Sequence, residues 1–323
     1  MTDSTNLIEP TLQDVQTARS TIKNYVTHTP IRRYPVLSEL LDADVWVKHE
    51  NFQLLGAFKV RGGINLVSQT SQQDRDRGFV TASSGNHGQS IAYAARAFDA
   101  ACTVVLPEGA NSAKSASIAS MGANVVFHGD VFERSREHAE LLAERDGLRF
   151  VHAANEPALI AGVATYTAEI HDDLKDIDVI FAPIGAGSGA SGVCIVSDGV
   201  SPLTRVIGVQ SANAPAAYHA WKTGTIETYP MSTVAEGLAT ESAYSFTIEI
   251  LRKRLKEFVL VDDSDISSAI KTYVQATRTL VEHAGAASLA AAIDMKDQIQ
   301  GKRVVLIASG GNVTTDQLKS VLN

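Results

Sequence analysis

Residues 53–63 read QLLGAFKVRGG, and the lysine inside this stretch, Lys59, lies between the apolar residues Phe58 and Val60. A lysine held in apolar surroundings loses its proton readily, because burial disfavours the charged form. The neutral amine is a nucleophile that forms a Schiff base with a carbonyl group. The stretch therefore indicates a reactive lysine, although a lysine on the flank of a helix also extends its ammonium group to solvent.

A short run of small polar residues forms a second candidate site. Residues 81–88 read TASSGNHG, and they lie between the apolar pair Phe79-Val80 and a segment whose apolar residues recur at helical spacing. This order predicts a strand, then a turn, then a helix. The start of that helix offers free backbone N–H groups to a carboxylate or a phosphate, unless Ser84 or Asn86 is only the N-cap of the helix.

A glycine-rich loop follows another apolar strand. Residues 179–192 read VIFAPIGAGSGASG, in which Gly187, Gly189 and Gly192 satisfy the GxGxxG pattern of a dinucleotide site. Such a site also needs an acidic residue about twenty positions later for the ribose. The next strand ends in Gln210 and Ser211 instead. The missing acid favours the other interpretation of the loop, a cup of N–H groups for one phosphate dianion.

The composition is that of an ordinary globular chain of 323 residues, of which 45% are hydrophobic and 20% are charged. A chain of this length is too long for one simple hydrophobic core and fits two domains. The net charge of −8 argues against a nucleic-acid surface, and the apolar runs are too short to span a membrane. The first residues lack the features of a signal peptide, and Cys102 and Cys194 have no metal-ligand spacing, so we expect a cytoplasmic protein with free thiols.

Short apolar strands alternate with helical patterns along almost the whole chain. This alternation predicts an α/β fold with parallel sheets and helices on both faces. The predicted helices include residues 89–97, 113–120 and 266–280. The predicted strands are residues 45–47, 79–82, 103–106, 124–127, 150–152, 179–183, 205–209, 258–261 and 304–308.

Four motifs occur in a specific order: GAFKVRGG at 56–63, SSGNHG at 83–88, the glycine loop at 185–192 and ASGGN at 308–312. Together they resemble the pyridoxal phosphate (PLP) dependent serine/threonine dehydratase and serine racemase family, which has the tryptophan synthase β-like fold (fold type II). The similarity runs from about residue 34 to the C-terminus. It implies two open parallel-sheet domains with PLP in the cleft between them. Residues 1–52 and 152–323 would form the large PLP-binding domain, and residues 53–151 the small substrate-binding domain.

The resemblance also implies which residues contact the cofactor. Lys59 would form the Schiff base with PLP and then act as general base on the α-proton of the substrate, which requires the lowered pKa that burial supplies. Phe58 would pack against the cofactor ring, Asn86 would donate to its phenolic oxygen, and Ser309 would pair with its pyridine nitrogen. The Ser188 hydroxyl would add a hydrogen bond to the phosphate. The backbone N–H groups that would hold this phosphate belong to Gly185, Ala186, Gly187, Ser188 and Gly189.

The substrate would bind at the SSGNHG turn. The resemblance implies that its carboxylate is held by Ser83, Ser84, Asn86 and His87. Ser84 also matches the position that racemases use as a second acid/base on the face opposite Lys59. Many dehydratases have a serine there as well, so this position does not separate the two reactions.

Two departures from the family pattern concern a metal site and the pocket beside the cofactor. Members activated by a divalent cation have Glu and Asp where this chain has Gln210 and Ala216, and neither residue supplies the anionic oxygen that Mg²⁺ or Ca²⁺ prefers. We therefore expect no metal ion in the protein. The family also has Glu-Pro-Ser/Thr where this chain has Glu282-His283-Ala284, which retains the glutamate and changes the two residues after it.

The resemblance implies a PLP-dependent ammonia-lyase that converts a β-hydroxy amino acid, such as L-threonine or L-serine, to a 2-oxo acid and ammonia. An amino-acid racemase on the same scaffold is the nearest alternative, and a nicotinamide-dependent oxidoreductase that uses the GxGxxG stretch is a remote one. The expected partners are a small-molecule amino acid and a second copy of the chain in a homodimer. Neither a nucleic acid nor a membrane is expected.

Overall fold

The computed structural model describes residues 7–323 apart from the side chain of Ala113. The expectation that the first residues are not a signal peptide concerns residues 1–6, which lie outside the described residues. The strands are β1 (Ile31–Arg33), β2 (Asp44–Lys48), β3 (Phe79–Ala82), β4 (Cys102–Leu106), β5 (Asn124–Phe127), β6 (Arg149–Phe150), β7 (Val179–Pro183), β8 (Arg205–Ser211), β9 (Glu257–Val261) and β10 (Arg303–Ile307). The helices are α1 (Leu12–Ile22), α2 (Pro35–Leu41), α3 (Lys59–Gln69), α4 (Gln72–Arg77), α5 (Asn86–Ala97), α6 (Ser112–Ser120), α7 (Phe132–Asp146), α8 (Pro157–Asp173), α9 (Ser188–Val200), α10 (Ala216–Thr223), α11 (Ser245–Arg254), α12 (Asp263–Thr277), α13 (His283–Asp294), α14 (Lys296–Ile299) and α15 (Thr315–Leu322).

The strands form two sheets. The first has six strands in the order β1-β2-β10-β7-β8-β9, and the second has four strands in the order β5-β4-β3-β6. Within the described residues, the strands of both sheets pair in parallel except β1, which runs antiparallel to β2 with Ile31 opposite Lys48. The predicted α/β fold with parallel sheets is therefore confirmed, and β1 is an addition at the sheet edge.

One predicted strand is displaced and shortened. β6 ends at Phe150, whereas the sequence pattern extends the strand to residue 152. The chain turns at His152, because Nδ1 of this ring accepts hydrogen bonds from the backbone N–H groups of Ala154 (2.9 Å) and Asn155 (3.0 Å). The other predicted strands agree with the observed ones to within one residue at either end, except that β8 continues two residues past its predicted end.

The apolar core lies on both faces of the six-stranded sheet. In β10, Val304 and Leu306 belong to one hydrophobic cluster, whereas Val305 and Ile307 belong to another. Successive side chains of a strand point to opposite faces, so a sheet with two apolar faces needs a helix layer on each. α13 contributes to the first cluster and α9 to the second. The four-stranded sheet has clusters of its own.

The sheet topology places the sequence motifs at strand ends. Ser83 follows the last residue of β3, Gly185 comes two residues after β7, and Ser309 comes two residues after β10. Ligands of open α/β sheets bind outside the carboxyl ends of the strands, and these three motifs occupy that position.

The four-stranded sheet is built only from residues within 53–151, and the six-stranded sheet only from residues outside that range. On this basis we propose the domain division that the family resemblance implies. Nowhere in residues 7–323 does a helix have the length and apolar character needed to cross a membrane.

Candidate active site

A cleft of about 1010 Å³ opens where β3, β7 and β10 end. Residues from both sheets line it, and its volume is that of a site for a small molecule or a cofactor. It brings together every residue that the sequence predicts for the site: Phe58, Lys59, Ser83, Ser84, Asn86, His87, Gly185, Ala186, Gly187, Ser188, Gly189 and Ser309.

Lys59 is the first residue of α3, and its side chain is half-buried in the cleft. Its Nζ donates hydrogen bonds to Oγ of Ser188 (2.8 Å) and to the carbonyl oxygen of Ala153 (3.2 Å). Both partners are neutral, so they do little to hold the charged form of the amine. Burial lowers the pKa of the Lys59 amine to about 8, which makes the neutral, nucleophilic form accessible near physiological pH.

The loop between β7 and α9 has the shape of an anion site. Gly187 has a φ of +90°, a left-handed conformation that favours glycine, and it directly precedes α9. A Cβ on Gly185 would lie 2.3 Å from the carbonyl oxygen of Gly237, so a larger residue there would push against backbone. The first backbone N–H groups of a helix have no partner within it and carry partial positive charge. The loop therefore fits a phosphate dianion such as that of PLP.

The Ser188 hydroxyl lies at the first residue of α9, and its predicted role is a hydrogen bond to a phosphate. In the structure this oxygen accepts the hydrogen bond from Lys59. A hydroxyl has one donor and two acceptor positions, so it can accept from Lys59 and donate to a phosphate at the same time. Ser188 therefore links the reactive amine to the glycine loop.

The SSGNHG turn opens α5, which has 12 residues and whose N-cap is Gly85. No side chain among the described residues caps this helix, so the alternative in which Ser84 or Asn86 is only an N-cap is not supported. Ser83 Oγ accepts a hydrogen bond from the Gly85 N–H (3.2 Å), which shapes the turn. Free N–H groups and the cleft-lining hydroxyls of Ser83 and Ser84 together suit a carboxylate.

His87 lines the cleft but its ring is buried. Its Nε2 lies 3.4 Å from the carbonyl oxygen of Val151, and its Nδ1 has no hydrogen-bond partner among the described atoms. Burial lowers the pKa of His87 to about 3, so the ring is neutral at physiological pH. If Nε2 carries the proton, Nδ1 is an acceptor. A carboxylate accepts hydrogen bonds and does not donate them, so the predicted contact through Nδ1 requires the tautomer in which Nδ1 carries the proton.

Asn86 is oriented from two sides of the cleft. Its Nδ2 donates to Oε1 of Glu282 (2.7 Å), and its Oδ1 accepts from Nδ2 of Asn312 (2.7 Å). An amide nitrogen has a second proton, which leaves Asn86 able to donate to a cofactor as predicted. Burial raises the pKa of Glu282 to about 7. Glu282, the residue of Glu282-His283-Ala284 that matches the family pattern, thus belongs to the site, where it positions Asn86.

Phe58 and Ser309 meet at the base of the cleft. The Phe58 N–H donates to the carbonyl oxygen of Ser309 (3.1 Å), which ties the start of α3 to the end of β10. The Phe58 ring packs edge-on against Tyr166 with 5.8 Å between ring centroids. Phe58 is thereby fixed as one apolar wall of the cleft.

Several charged residues of the cleft were not indicated by the sequence, and two of them form a pair across it. Lys114 of α6 forms an ion pair with Glu236, which also accepts a hydrogen bond from Nε2 of Gln317 (2.9 Å). The ion pair joins residues 122 positions apart, so no local pattern signals it. Lys114 comes from the small-sheet half of the chain and Glu236 from the other half, and their pair therefore spans the cleft.

Gln210, where the family resemblance implies a carboxylate in cation-activated members, binds the start of α10. Its side chain is fully buried, and its Oε1 accepts a hydrogen bond from the backbone N–H of Tyr218 (3.0 Å) in the first turn of α10. Ala216, at the other altered position, is buried as well. Between residues 7 and 323, no group of three His, Cys, Asp or Glu side chains is arranged to hold a metal ion.

We expect activity to be independent of added divalent cations. Gln210 offers only a neutral oxygen, already used by Tyr218, and Ala216 offers none, so a cation there would lack the charge that offsets its desolvation. The measurement is the initial rate after exhaustive EDTA treatment and again after Mg²⁺ or Ca²⁺ is added back. A large loss that either ion reverses would contradict this account.

The chain matches known proteins over nearly its whole length. A family model described as pyridoxal-phosphate dependent enzyme covers residues 22–310. An L-threonine ammonia-lyase of Thermotoga maritima is 35% identical over 314 residues, which is 97% of this chain and 78% of that protein. A serine racemase of Schizosaccharomyces pombe is 31% identical over 322 residues, 99% of each chain. The processed threonine deaminase isoform 2 of Solanum lycopersicum superposes with a TM-score of 0.92 at 30% identity, over 96% of this chain and 91% of that one.

Proposed function

The chain belongs to the family of pyridoxal-phosphate dependent enzymes, in the group of the threonine dehydratases and serine racemases, and from this we propose that it is an ammonia-lyase of β-hydroxy amino acids. The expected family, fold class and PLP cofactor are confirmed by the matches. The proposed substrates are L-threonine and L-serine, and the products are a 2-oxo acid and ammonia. The nicotinamide alternative loses its support, because its GxGxxG stretch lies within the matched PLP-family region.

The Lys59 amine is the observation that carries the proposal. It lies in the cleft beside the start of α9, with its pKa lowered to about 8 and neutral hydrogen-bond partners. A neutral amine condenses with a carbonyl group and also removes a proton from carbon. Lys59 is therefore suited to anchor the cofactor and to act as the base.

The cleft residues fit PLP. When bound, PLP supplies an electron sink that stabilises negative charge at the α-carbon of the substrate. We propose that Lys59 Nζ anchors it covalently, that the N–H groups of residues 185–189 hold its phosphate, and that Phe58 packs on its ring. Asn86 Nδ2 and the Ser309 hydroxyl would contact polar atoms of the ring. A neutral serine beside the ring nitrogen would leave that nitrogen unprotonated, which would favour β-elimination over transamination.

The proposed reaction is a proton transfer followed by loss of a hydroxyl group. Ser83, Ser84 and the N–H groups at the start of α5 would hold the substrate carboxylate. Lys59 Nζ, freed when the substrate amino group takes its place, would take the α-proton. The electron pair left on the α-carbon forms the new double bond as the Cβ–O bond breaks, and the hydroxyl leaves as water with the proton that Lys59 took from the α-carbon. The enamine then takes up one water to give the 2-oxo acid and ammonia.

The pKa of Lys59 predicts how cofactor capture depends on pH. Its value in the folded protein, about 8, lies below the ordinary 10.5, so the reactive neutral fraction rises with pH and reaches one half near pH 8. We expect the rate at which cofactor-free protein binds PLP covalently to rise about tenfold per pH unit below that point and then to level off. Stopped-flow absorbance from about pH 6 to about pH 11.5 measures this profile. A midpoint near 10.5 would show that Lys59 is not desolvated.

A racemase is the second candidate, and the observation that favours it is Ser84, whose side chain lines the cleft that contains Lys59. If elimination dominates, Ser84→Ala is expected to keep most of the oxo-acid formation from the L-substrate, within about a factor of five, because Lys59 alone removes that proton. A rise in KM is expected from the weaker carboxylate binding. The two parameters are obtained from initial rates on L-threonine. A drop in kcat of about 100-fold would assign Ser84 a proton-transfer role.

A substrate panel tests the proposed function directly. PLP-loaded protein is incubated with L-threonine, L-serine, 3-hydroxyaspartate and phenylserine, and the 2-oxo acid is quantified for each. These compounds share the reacting atoms and differ in the group on the β-carbon. Oxo-acid formation from L-threonine or L-serine is expected; formation from neither would reject the proposed substrates.

Three further expectations accompany this function. We propose a cytoplasmic location, from the free and buried cysteines Cys102 and Cys194, and a homodimeric assembly. An amino acid is the proposed small-molecule partner, which agrees with a cleft lined by N–H groups, hydroxyls and one reactive amine.

A further inference from the structure

A buried network of charged side chains is attached to α3 two residues after Lys59. The Arg61 guanidinium is fully buried and forms paired hydrogen bonds with Glu50 (2.8 and 2.9 Å) and with Glu169 (2.7 and 2.9 Å). Nζ of Lys48 donates to Glu169 as well, at 2.6 Å. Two cations thus face two carboxylates in the interior.

The hydrogen-bonding capacity of Arg61 is used completely. Besides the two carboxylates, its Nη1 donates to Oγ1 of Thr165 and its Nη2 to the carbonyl oxygen of Thr27, each at 3.2 Å. A guanidinium has five N–H donors in a rigid plane, and contacts to all of them leave one orientation. Buried ion networks are weak evidence for stability, because apolar replacements are often neutral or stabilising. The effect that these contacts can have is therefore on the orientation of α3.

The network joins α3 to three other segments. Lys48 ends β2, Glu50 lies in the short 3-10 helix Glu50–Phe52, and Glu169 lies in α8. The first turn of α3 has no side-chain cap within the described part of the chain. The turn is held by the backbone contacts of Phe58, by Ser90 Oγ, which donates to the carbonyl oxygen of Lys59 (2.6 Å), and by the bonds of Arg61. Two positions along an α-helix differ by about 200° around its axis, so Arg61 holds the side of α3 opposite Lys59.

We propose that Arg61 is a positioning residue, which through Glu50 and Glu169 fixes the first turn of α3 so that the Lys59 amine stays inside the cleft. This rests on the proposed function, which gives Lys59 its role. The same contacts keep the amine away from bulk water, and this desolvation is what lowers its pKa. Arg61→Lys keeps the charge but loses the planar fork, so it loosens the turn.

The test measures Lys59 without any turnover. In cofactor-free protein, the rate of acetylation of Lys59 by acetic anhydride is followed against pH by peptide mass spectrometry. The variants are Arg61→Lys and the control Lys48→Met, which removes a buried charge from the same network but retains every hydrogen bond of Arg61. The visible circular dichroism of bound PLP and the kcat and KM of the loaded variants complete the set.

For Arg61→Lys we expect the acetylation midpoint to rise by about one pH unit, a weaker visible dichroism band, and a kcat lowered about tenfold at nearly unchanged KM. Lys48→Met is expected to keep the wild-type midpoint and kcat even if its melting temperature falls. An unchanged midpoint in Arg61→Lys, or an equal shift in Lys48→Met, would refute a positioning role. If Arg61→Lys is insoluble, Glu50→Gln, which keeps the side-chain shape, takes its place with the same expected shift.

The acetylation and dichroism measurements test the positioning role of Arg61 separately from the proposed function. Acetylation and dichroism report on Lys59 whether or not threonine or serine is a substrate. A wild-type protein that releases no ammonia would therefore count against the lyase assignment only, and the Arg61 variants would still decide the positioning role.

Discussion

Lys59→Ala is expected to abolish covalent binding of PLP and to lower oxo-acid formation at least 10³-fold, because one amine both anchors the cofactor and takes the α-proton. The other contacts of the cofactor remain, so the variant is expected to bind PLP reversibly. Absorbance after gel filtration measures the retained cofactor, and initial rates measure the activity.

The attachment point is identified in the wild-type protein. Borohydride reduction followed by peptide mapping should place the pyridoxyl group on Lys59. Lys114, which also lines the cleft, provides the matched control, since Lys114→Ala should leave the covalent bond intact. A pyridoxyl group on another lysine, or on none when PLP is supplied, would rule out the assigned role of Lys59.

Gly185→Ala is expected to have the second largest effect. The added Cβ would lie 2.3 Å from the carbonyl oxygen of Gly237, and this atom is backbone, which cannot rotate away. We expect a loss of about 1–3 kcal/mol in the free energy of unfolding from overpacking. We also expect weaker PLP binding, by about 10- to 100-fold, because a shifted loop loses one charge-assisted hydrogen bond to the phosphate.

Gly109→Ala is the control for this substitution, because a Cβ at Gly109 meets no described atom within 4 Å. Thermal unfolding in the presence and absence of PLP gives the stability and the stabilisation by the cofactor. If PLP stabilises the Gly185 and Gly109 variants equally against thermal unfolding, the anion-site interpretation of the loop is contradicted.

The fold class is predictable from the sequence because the strands of parallel sheets are buried on both faces and consist of continuous apolar residues. β7 and β10 show this pattern clearly. β1 does not: it has three residues, two of them exposed, so neither length nor alternation marks it. Its antiparallel position comes from pairing with β2, which is a tertiary contact.

The candidate site is predictable where function depends on a local motif at a strand end. Its supporting contacts are not, because they join distant parts of the chain. Glu282 reaches Asn86 across 196 positions, and Glu169 reaches Arg61 across 108. Gln210 is a third residue whose contact is not predictable. The sequence shows that position 210 has no carboxylate, but not that the Gln210 side-chain amide binds the backbone at the start of α10.

The central claim is that this cleft catalyses elimination, and the most direct test compares two initial rates on one sample. PLP-loaded protein is given L-serine, ammonia is measured enzymatically, and D-serine is measured by chiral chromatography over the same interval. The account predicts that ammonia release exceeds formation of the D-enantiomer at every time point. Formation of D-serine faster than release of ammonia would contradict it and identify the protein as a racemase.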